Sequence, residues 1–318
     1  MEIFEHFNAF SIDEAISLLS RYGEDASIIA GGTDLIVGMK QKVKDPKYVI
    51  NIKTIPSLAY IREDDELRIG ALTTLHGIEN SPIIKGKYAC LQEAAHSVAS
   101  IHIRNLGTIG GNLCQQEQCW YSRNPQFACH RTGGDQCFAF EGESEFSAIF
   151  PILGEKCWAS FPSDIAPALI ALNAKVKIAG PTGERVVPVE DLYCELGNTL
   201  QVAEILTEIQ IPVPKPNTKS TYLKFRLSRG CGFAVASSAV AVTKEKGICR
   251  EARIALGGIA PIPWRGKKAE EVLKGKEIDD KAAEDAANAV MADAKPLKKN
   301  AYKEPITKAV LKRAILAC

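Results

Sequence analysis

The segment Ser27-Ile28-Ile29-Ala30-Gly31-Gly32-Thr33-Asp34-Leu35 runs from an apolar strand through two glycines into the start of a helix. In that arrangement a backbone can turn sharply and present N–H groups to a phosphate, with the helix N-terminus adding partial positive charge. The spacing is not G-x-G-x-x-G, so the dinucleotide fingerprint is not met, and a plain left-handed turn is the other reading. Upstream, Ser11-Ile12-Asp13-Glu14 has the form of a capping box. It opens a helix whose apolar face is Ile12, Ala15, Ile16, Leu18 and Leu19 and which Gly23 ends. Downstream, Leu35 to Lys42 returns to helix and Tyr48-Val49-Ile50-Asn51 reads as a strand, which completes a βαβ-like unit.

A second block begins near Leu67. Arg68-Ile69-Gly70-Ala71 reads as a strand, Thr73 or Thr74 as the cap of a short helix, and Tyr88 to Ser97 as a helix. Thr108-Ile109-Gly110-Gly111-Asn112 reads as another glycine turn, small and donor-rich like the first. Two such turns in one domain suit one cofactor with two phosphates held between them. Asp164 to Leu172 is expected as a helix and Lys175 to Ile178 as a strand. Three prolines (Pro212, Pro214, Pro216) mark the segment 211–218 as a linker. Strands at Tyr222–Arg226, Ala234–Thr243 and Ala252–Leu256 then precede helices at about 267–274, 279–294 and 302–316, an α+β pattern.

The bulk numbers leave room for two domains, or three. Among 318 residues, 46% are apolar and 39 basic residues stand against 38 acidic ones. A sizeable core is expected, and neither a nucleic-acid groove nor a basic membrane-surface patch is. Met1-Glu2-Ile3-Phe4-Glu5 has neither a basic nor a hydrophobic leader region, and no apolar run is long enough to span a membrane. A cytoplasmic location is expected, with export on a partner's signal left open.

Five of the ten cysteines fall between Cys114 and Cys157, in a stretch that otherwise reads as an inserted loop. Cys119, Cys129, Cys137 and Cys157 are spaced C-x9-C-x7-C-x19-C. Without a secretion signal, a metal or redox site explains that density better than disulfides do. Structural zinc sites usually carry short C-x2-4-C knuckles, which these four lack. Open spacing suits a [4Fe–4S] cluster wrapped by a loop, while zinc and simple buried thiols stay open as readings. Cys114 lies close to the second turn; it could ligate, and it also reads as placed by the turn beside the cofactor.

Asp164 reads first as a helix N-cap and second as an acceptor for a ribose hydroxyl. Lys224 and Arg226 share one strand face, as solvated edge charges or as cations toward an anionic cofactor. The five histidines are scattered, and no Ser-His-Asp or paired-carboxylate signature is present.

Taken together, these motifs resemble a known family. The Ile28–Leu35 turn, Gly70-Ala71 with Thr74-Leu75, Ile103 through Asn112, Pro162-Ser163-Asp164, Tyr222-Leu223-Lys224-Phe225-Arg226 and Ala255-Leu256-Gly257-Gly258-Ile259-Ala260 occur in this order. The pattern is similar to the FAD-binding medium subunit of the molybdenum hydroxylases, the xanthine dehydrogenase and aldehyde oxidoreductase group, over nearly the whole chain. The insertion at about 114–157 resembles the [4Fe–4S]-containing type seen in 4-hydroxybenzoyl-CoA reductase and in a bacterial periplasmic aldehyde oxidoreductase.

The resemblance implies an α+β fold of the vanillyl-alcohol-oxidase-like (PCMH) type. Residues 1–55 and 56–213 would be two FAD-binding subdomains, with 219–318 a smaller α+β C-terminal domain. It implies that Ile28, Ile29, Ala30, Gly31, Gly32, Thr33, Asp34 and Leu35 hold the FAD diphosphate. Ala99, Thr108, Gly111 and Asn112 would also contact the cofactor, Asp164 would bind a ribityl or ribose hydroxyl, and Lys224 would lie near the isoalloxazine. The implied cluster ligands are Cys119, Cys129, Cys137 and Cys157. No catalytic base is implied here. A large subunit would carry the molybdenum cofactor and the substrate site, and a small one two [2Fe–2S] clusters. The electron partner would be ferredoxin, another one-electron carrier, or NAD. Two rival readings are a stand-alone flavin oxidase of the same fold and a zinc-stabilised binding module.

Overall fold

The structure is a computed structural model that describes residues 2–152, 154–228 and 230–318, so Leu153 of the insertion lies outside it. Three sheets follow one another along the chain. The first is parallel: β1 (Glu5–Asn8), β2 (Ala26–Ile29) and β3 (Tyr48–Asn51) lie in the order β1-β3-β2. Between β1 and β2 runs α1 (Ile12–Tyr22), where Ser11 Oγ accepts the Glu14 N–H at 3.1 Å and Gly23 closes the helix at φ 57°. The short α2 (Leu35–Lys40) joins β2 to β3. Ala15, Leu19, Ile50 and Ile52 pack this unit onto Leu72 and Ile205 of the next.

The second sheet is antiparallel. It is built from β4 (Ile61–Glu63), β5 (Glu66–Gly70), β6 (Lys175–Gly180) and β7 (Gly183–Pro188) with a later strand, β10 (Ile205–Pro212). The spatial order is β4-β5-β10-β6-β7, and β8 (Tyr193–Cys194) and β9 (Gly197–Asn198) form a separate small hairpin. Its helices are α3 (Leu75–Asn80), α4 (Ala89–Ser97), α5 (Ile101–Leu106), α6 (Ile109–Cys114) and α7 (Ile165–Ala171). Thr74 caps α3, with its Oγ1 accepting the Gly77 N–H at 3.1 Å. Every residue of α7 is buried, which explains its unbroken apolar run.

The segment 211–218 is only partly a linker. Strand β10 continues to Pro212, and β11 (Thr218–Phe225) starts the third sheet. That sheet adds β12 (Ala236–Glu245), β13 (Ile248–Gly257) and β14 (Trp264–Arg265), all antiparallel. Helices α8 (Lys267–Leu273), α9 (Asp280–Met291) and α10 (Lys303–Ala317) follow. Strand residues alternate between two cores. Ala239, Ala241 and Ala255 face α4 and α7, while Val240, Val242, Ile254 and Leu256 face α8 to α10. A sheet covered on both faces needs the near-continuous apolar strand seen at Ala236–Val242.

From Gln115 to Asp164 the chain has no strand or α-helix among the described residues; a single 3-10 turn at His130–Thr132 interrupts it. The insert is nonetheless packed. Ile149 and Phe150 belong to the C-terminal core, and both donate their N–H groups to Ile259 O. Asn300 Nδ2 donates to the carbonyls of Ser147 and Ala148, and the buried Lys303 Nζ to those of Phe146 and Gly258. Among the described residues, no helix is long and apolar enough to cross a membrane.

Candidate cofactor cavity and cysteine cage

A cavity of about 770 Å³ opens between the first sheet, the α5–α6 region and the insert. That is within the usual range of ligand pockets, roughly 300–1,000 Å³. Ile28, Ala30, Gly31, Gly32, Thr33, Asp34 and Leu35 line it; Ile29, on the opposite face of β2, does not. Gly32 sits at φ 72°, where a side chain would strain the backbone. A Cβ on Gly31 would lie 2.2 Å from Leu106 O, so only glycine lets this turn pack on the end of α5. The N–H groups of Gly31, Gly32, Thr33 and Asp34 donate to no protein acceptor among the described residues. Four consecutive free donors at a cavity wall form a ready cradle for an anion.

The second glycine segment differs from the expected turn. It is the first turn of α6, with Thr108 Oγ1 accepting the Gly111 N–H at 3.1 Å. Ile109 N and Gly110 N donate to the carbonyls of Thr73 and Ala71, and Asn112 N donates to Thr108 O. Its donors are therefore used inside the protein, and its contribution is shape. A Cβ on Gly110 would meet the Ala71 side chain at 2.9 Å. Thr108, Gly111 and Asn112 line the cavity, as does Ala99 at φ 39°. Arg104 holds that strained residue in place by donating to Val98 O and Ala99 O at 3.0 and 3.4 Å.

Asp164 and Lys224 are not among the lining residues. They form a buried ion pair at 2.6 Å, and Tyr222 Oη donates to the same carboxylate at 2.5 Å. Burial pushes the Asp164 carboxyl above its ordinary value while Lys224 and Tyr222 oppose it, and burial drives the Tyr222 phenol well up. Asp164 does not cap α7. Ser163 does, accepting the Ala166 N–H at 3.0 Å, and it also donates to Asn112 Oδ1 at 2.6 Å. Lys224 and Arg226 are not solvated edge charges either, since both donate to Ser97 O at 3.2 Å. This polar chain braces the cavity wall from behind, tying Asn112 to Ser163 on one side and the 97–99 segment on the other.

The four outer cysteines gather in the insert. Cys119 feels Cys157, Cys137 feels Cys119 and Cys129, and Cys157 feels Cys137. Burial pushes the thiols of Cys119, Cys137 and Cys157 up. Backbone N–H groups oppose this: those of Tyr121 and Ser122 at Cys119, of Trp158 and Ala139 at Cys137, and of Ala159 at Cys157. No three or more His, Cys, Asp or Glu side chains among the described residues converge tightly enough to hold a single metal ion. Tyr121, Phe127 and Phe138 pack at centroid distances of 4.9–5.8 Å and give the insert a small apolar core. Cys114 stands apart. Burial alone pushes its thiol up to about 12, and it lines the 770 Å³ cavity beside Tyr193.

Two arginines of the insert, Arg123 and Arg131, also line the cavity, and sequence reasoning did not single them out. Arg123 Nη2 donates to Asp34 Oδ1 at 2.6 Å, which joins the insert to the first glycine turn. Their only signal in the sequence is that they are basic residues lying between the cysteines.

Comparison with known proteins assigns the chain. Residues 2–214 match the FAD binding domain in molybdopterin dehydrogenase, and residues 221–318 match the CO dehydrogenase flavoprotein C-terminal domain. The chain belongs to the FAD-binding family of the molybdopterin dehydrogenases. It is 30% identical over 321 residues to the carbon monoxide dehydrogenase medium chain of Hydrogenophaga pseudoflava, an alignment that covers 99% of this chain and 96% of that one. It is 31% identical over 296 residues to the FAD-binding subunit of an aldehyde oxidoreductase of Escherichia coli, with 90% and 89% covered. The solved carbon monoxide dehydrogenase of Hydrogenophaga pseudoflava superposes with a TM-score of 0.81 at 29% identity, covering 99% of this chain and 97% of that one. The protein is thus the FAD-binding medium subunit of a multi-subunit molybdenum hydroxylase, with the expected FAD-binding fold and smaller C-terminal domain.

Proposed function

We propose that this chain relays electrons between FAD, held in the 770 Å³ cavity, and a [4Fe–4S] cluster held by Cys119, Cys129, Cys137 and Cys157. The carrying observation is that one insert both brings Cys119, Cys137 and Cys157 near one another, with Cys129 beside Cys137, and forms part of the cavity wall. FAD exchanges electrons singly or in pairs, and a thiolate-bound cluster exchanges them singly.

The residues of the chain bind, orient and exclude water. The free N–H groups of Gly31, Gly32, Thr33 and Asp34 fit a diphosphate, and Gly32 supplies the left-handed turn that exposes them. Thr108, Gly111, Asn112 and Ala99 shape the opposite wall. Asp164 and Lys224 act from behind that wall, through Ser163 and the Ser97 carbonyl. Buried thiols with N–H groups aimed at them suit a cluster, because those dipoles stabilise the thiolates. Substrate conversion would belong to a large subunit with the molybdenum cofactor, beside a small subunit with two [2Fe–2S] clusters. The cluster gives the flavin a route to ferredoxin or another one-electron carrier, with NAD as the two-electron alternative, and the assembly is placed in the cytoplasm.

The ligand set is tested by Cys129→Ala. The variant is expected to lose about four iron atoms per chain and keep its FAD. Full iron content in the variant would exclude Cys129 as a ligand.

A further inference from the structure

Arg131 occupies the wall common to the cysteine cage and the flavin cavity. It sits two residues after Cys129 in the 3-10 turn, lines the cavity, and its side chain is only 5% exposed. Nη1 lies 3.3 Å from Glu117 Oε2, and Nη2 donates to Glu195 O at 3.1 Å. Its Nε–H is buried and has no acceptor among the described residues. A buried guanidinium donor left unpaired is costly, so this position calls for an acceptor that the polypeptide does not supply. The turn that carries Arg131 starts at Cys129, and the guanidinium also lies within hydrogen-bonding reach of Cys157. A thiolate or sulfide at the cage would complete the arginine's hydrogen bonding. Glu117, also in the cavity wall, sets a counter-charge against the same guanidinium.

We propose that Arg131 is a positioning residue for electron transfer: its buried guanidinium donates to a sulfur of the four-cysteine cluster, raises the cluster's reduction potential, and holds the cage against the flavin cavity. The inference rests on the cluster assignment made above. With both groups bound, the flavin would supply two-electron and the cluster one-electron chemistry, so two one-electron transfers, with the flavin's protons taken up or released, would balance each flavin turnover. No covalent bond to protein forms or breaks. A positive charge and an N–H donor at the sulfur favour the more negative, reduced cluster, so the potential rises. Glu117 acts with the opposite sign.

The test is an EPR-monitored redox titration of the purified complex carrying Arg131→Gln or Glu117→Gln, with iron and FAD counted in each sample. With iron and FAD retained, R131Q is expected to shift the cluster's midpoint to more negative potential and E117Q to more positive potential, while the flavin's midpoint stays put. A merely structural role would not move the two variants in opposite directions. Should R131Q lose iron, Arg131→Lys is titrated in its place, with a smaller negative shift expected. Unmoved midpoints in iron-replete variants overturn this inference alone. Wild-type protein without iron overturns the cluster assignment and this inference with it.

Discussion

Gly32 tests the proposed cradle most sharply. Its φ is 72°, and a Cβ there would press on Ile29 and Ile36 behind the turn, at 3.3 and 3.4 Å. Gly32→Glu forces a non-glycine residue into that left-handed backbone, at about 1–2 kcal/mol, and onto those two side chains, which distorts the row of four N–H donors. The variant is expected to be purified without FAD, read from the loss of flavin absorbance; full flavin occupancy would contradict the first-turn cradle. Lys303 makes a different kind of demand. Burial lowers it from its ordinary 10.5 to about 7, and among the described residues no carboxylate pairs with it. Between those two values the unfolded chain holds a proton that the folded chain does not, so this group's contribution to stability grows as pH rises through that window. Each pH unit gained there corresponds to at most about 1.4 kcal/mol. Lys303→Met is expected to flatten the rise in melting temperature from pH 7 to pH 9, and equal slopes in the two proteins would contradict it.

The elements show which features a sequence exposes. Strand β12 and the C-terminal helices are readable because their apolar residues repeat with the period of the element and face a core. The Thr108–Asn112 segment reads as a turn because Gly-Gly disguises a helix start; its cap, Thr108, contacts Gly111 through a residue with no side chain to announce it. Asp164 misleads in the same way, since its neighbour Ser163 takes the cap and leaves the carboxylate to Lys224 and Tyr222. Arg123 and Arg131 are invisible for another reason. A loop has no period, so nothing in its sequence says which charge turns inward. The Arg123–Asp34 contact is the insert's clasp on the first glycine turn. A partly exposed pair of this kind is worth about 0.5–1 kcal/mol. Arg123→Gln is therefore expected to weaken flavin retention by up to about fivefold, measured as FAD lost on repeated gel filtration with iron unchanged. Loss of iron with full FAD would contradict that clasp.

Across the whole molecule, the insert ties separate parts together. It clasps the first glycine turn through Arg123, contributes Ile149 and Phe150 to the C-terminal core, and is held by Asn300 and Lys303. The thiols therefore sit within a braced insert that also forms part of the cavity wall. Trp120, next to Cys119, is 73% exposed and stacks on Phe146, so the cage lies close to solvent on that side. The proposed relay draws on both features: a cysteine group near solvent, and an insert that also forms part of the cavity wall. The most direct test counts FAD, iron, acid-labile sulfide and zinc in the anaerobically purified protein, alongside its visible spectrum before and after dithionite. Expected are one FAD, about four iron atoms and about four sulfides per chain, with a broad shoulder near roughly 400 nm that dithionite bleaches. Stoichiometric zinc in the cysteine cage, or FAD with neither iron nor sulfide, would contradict the relay.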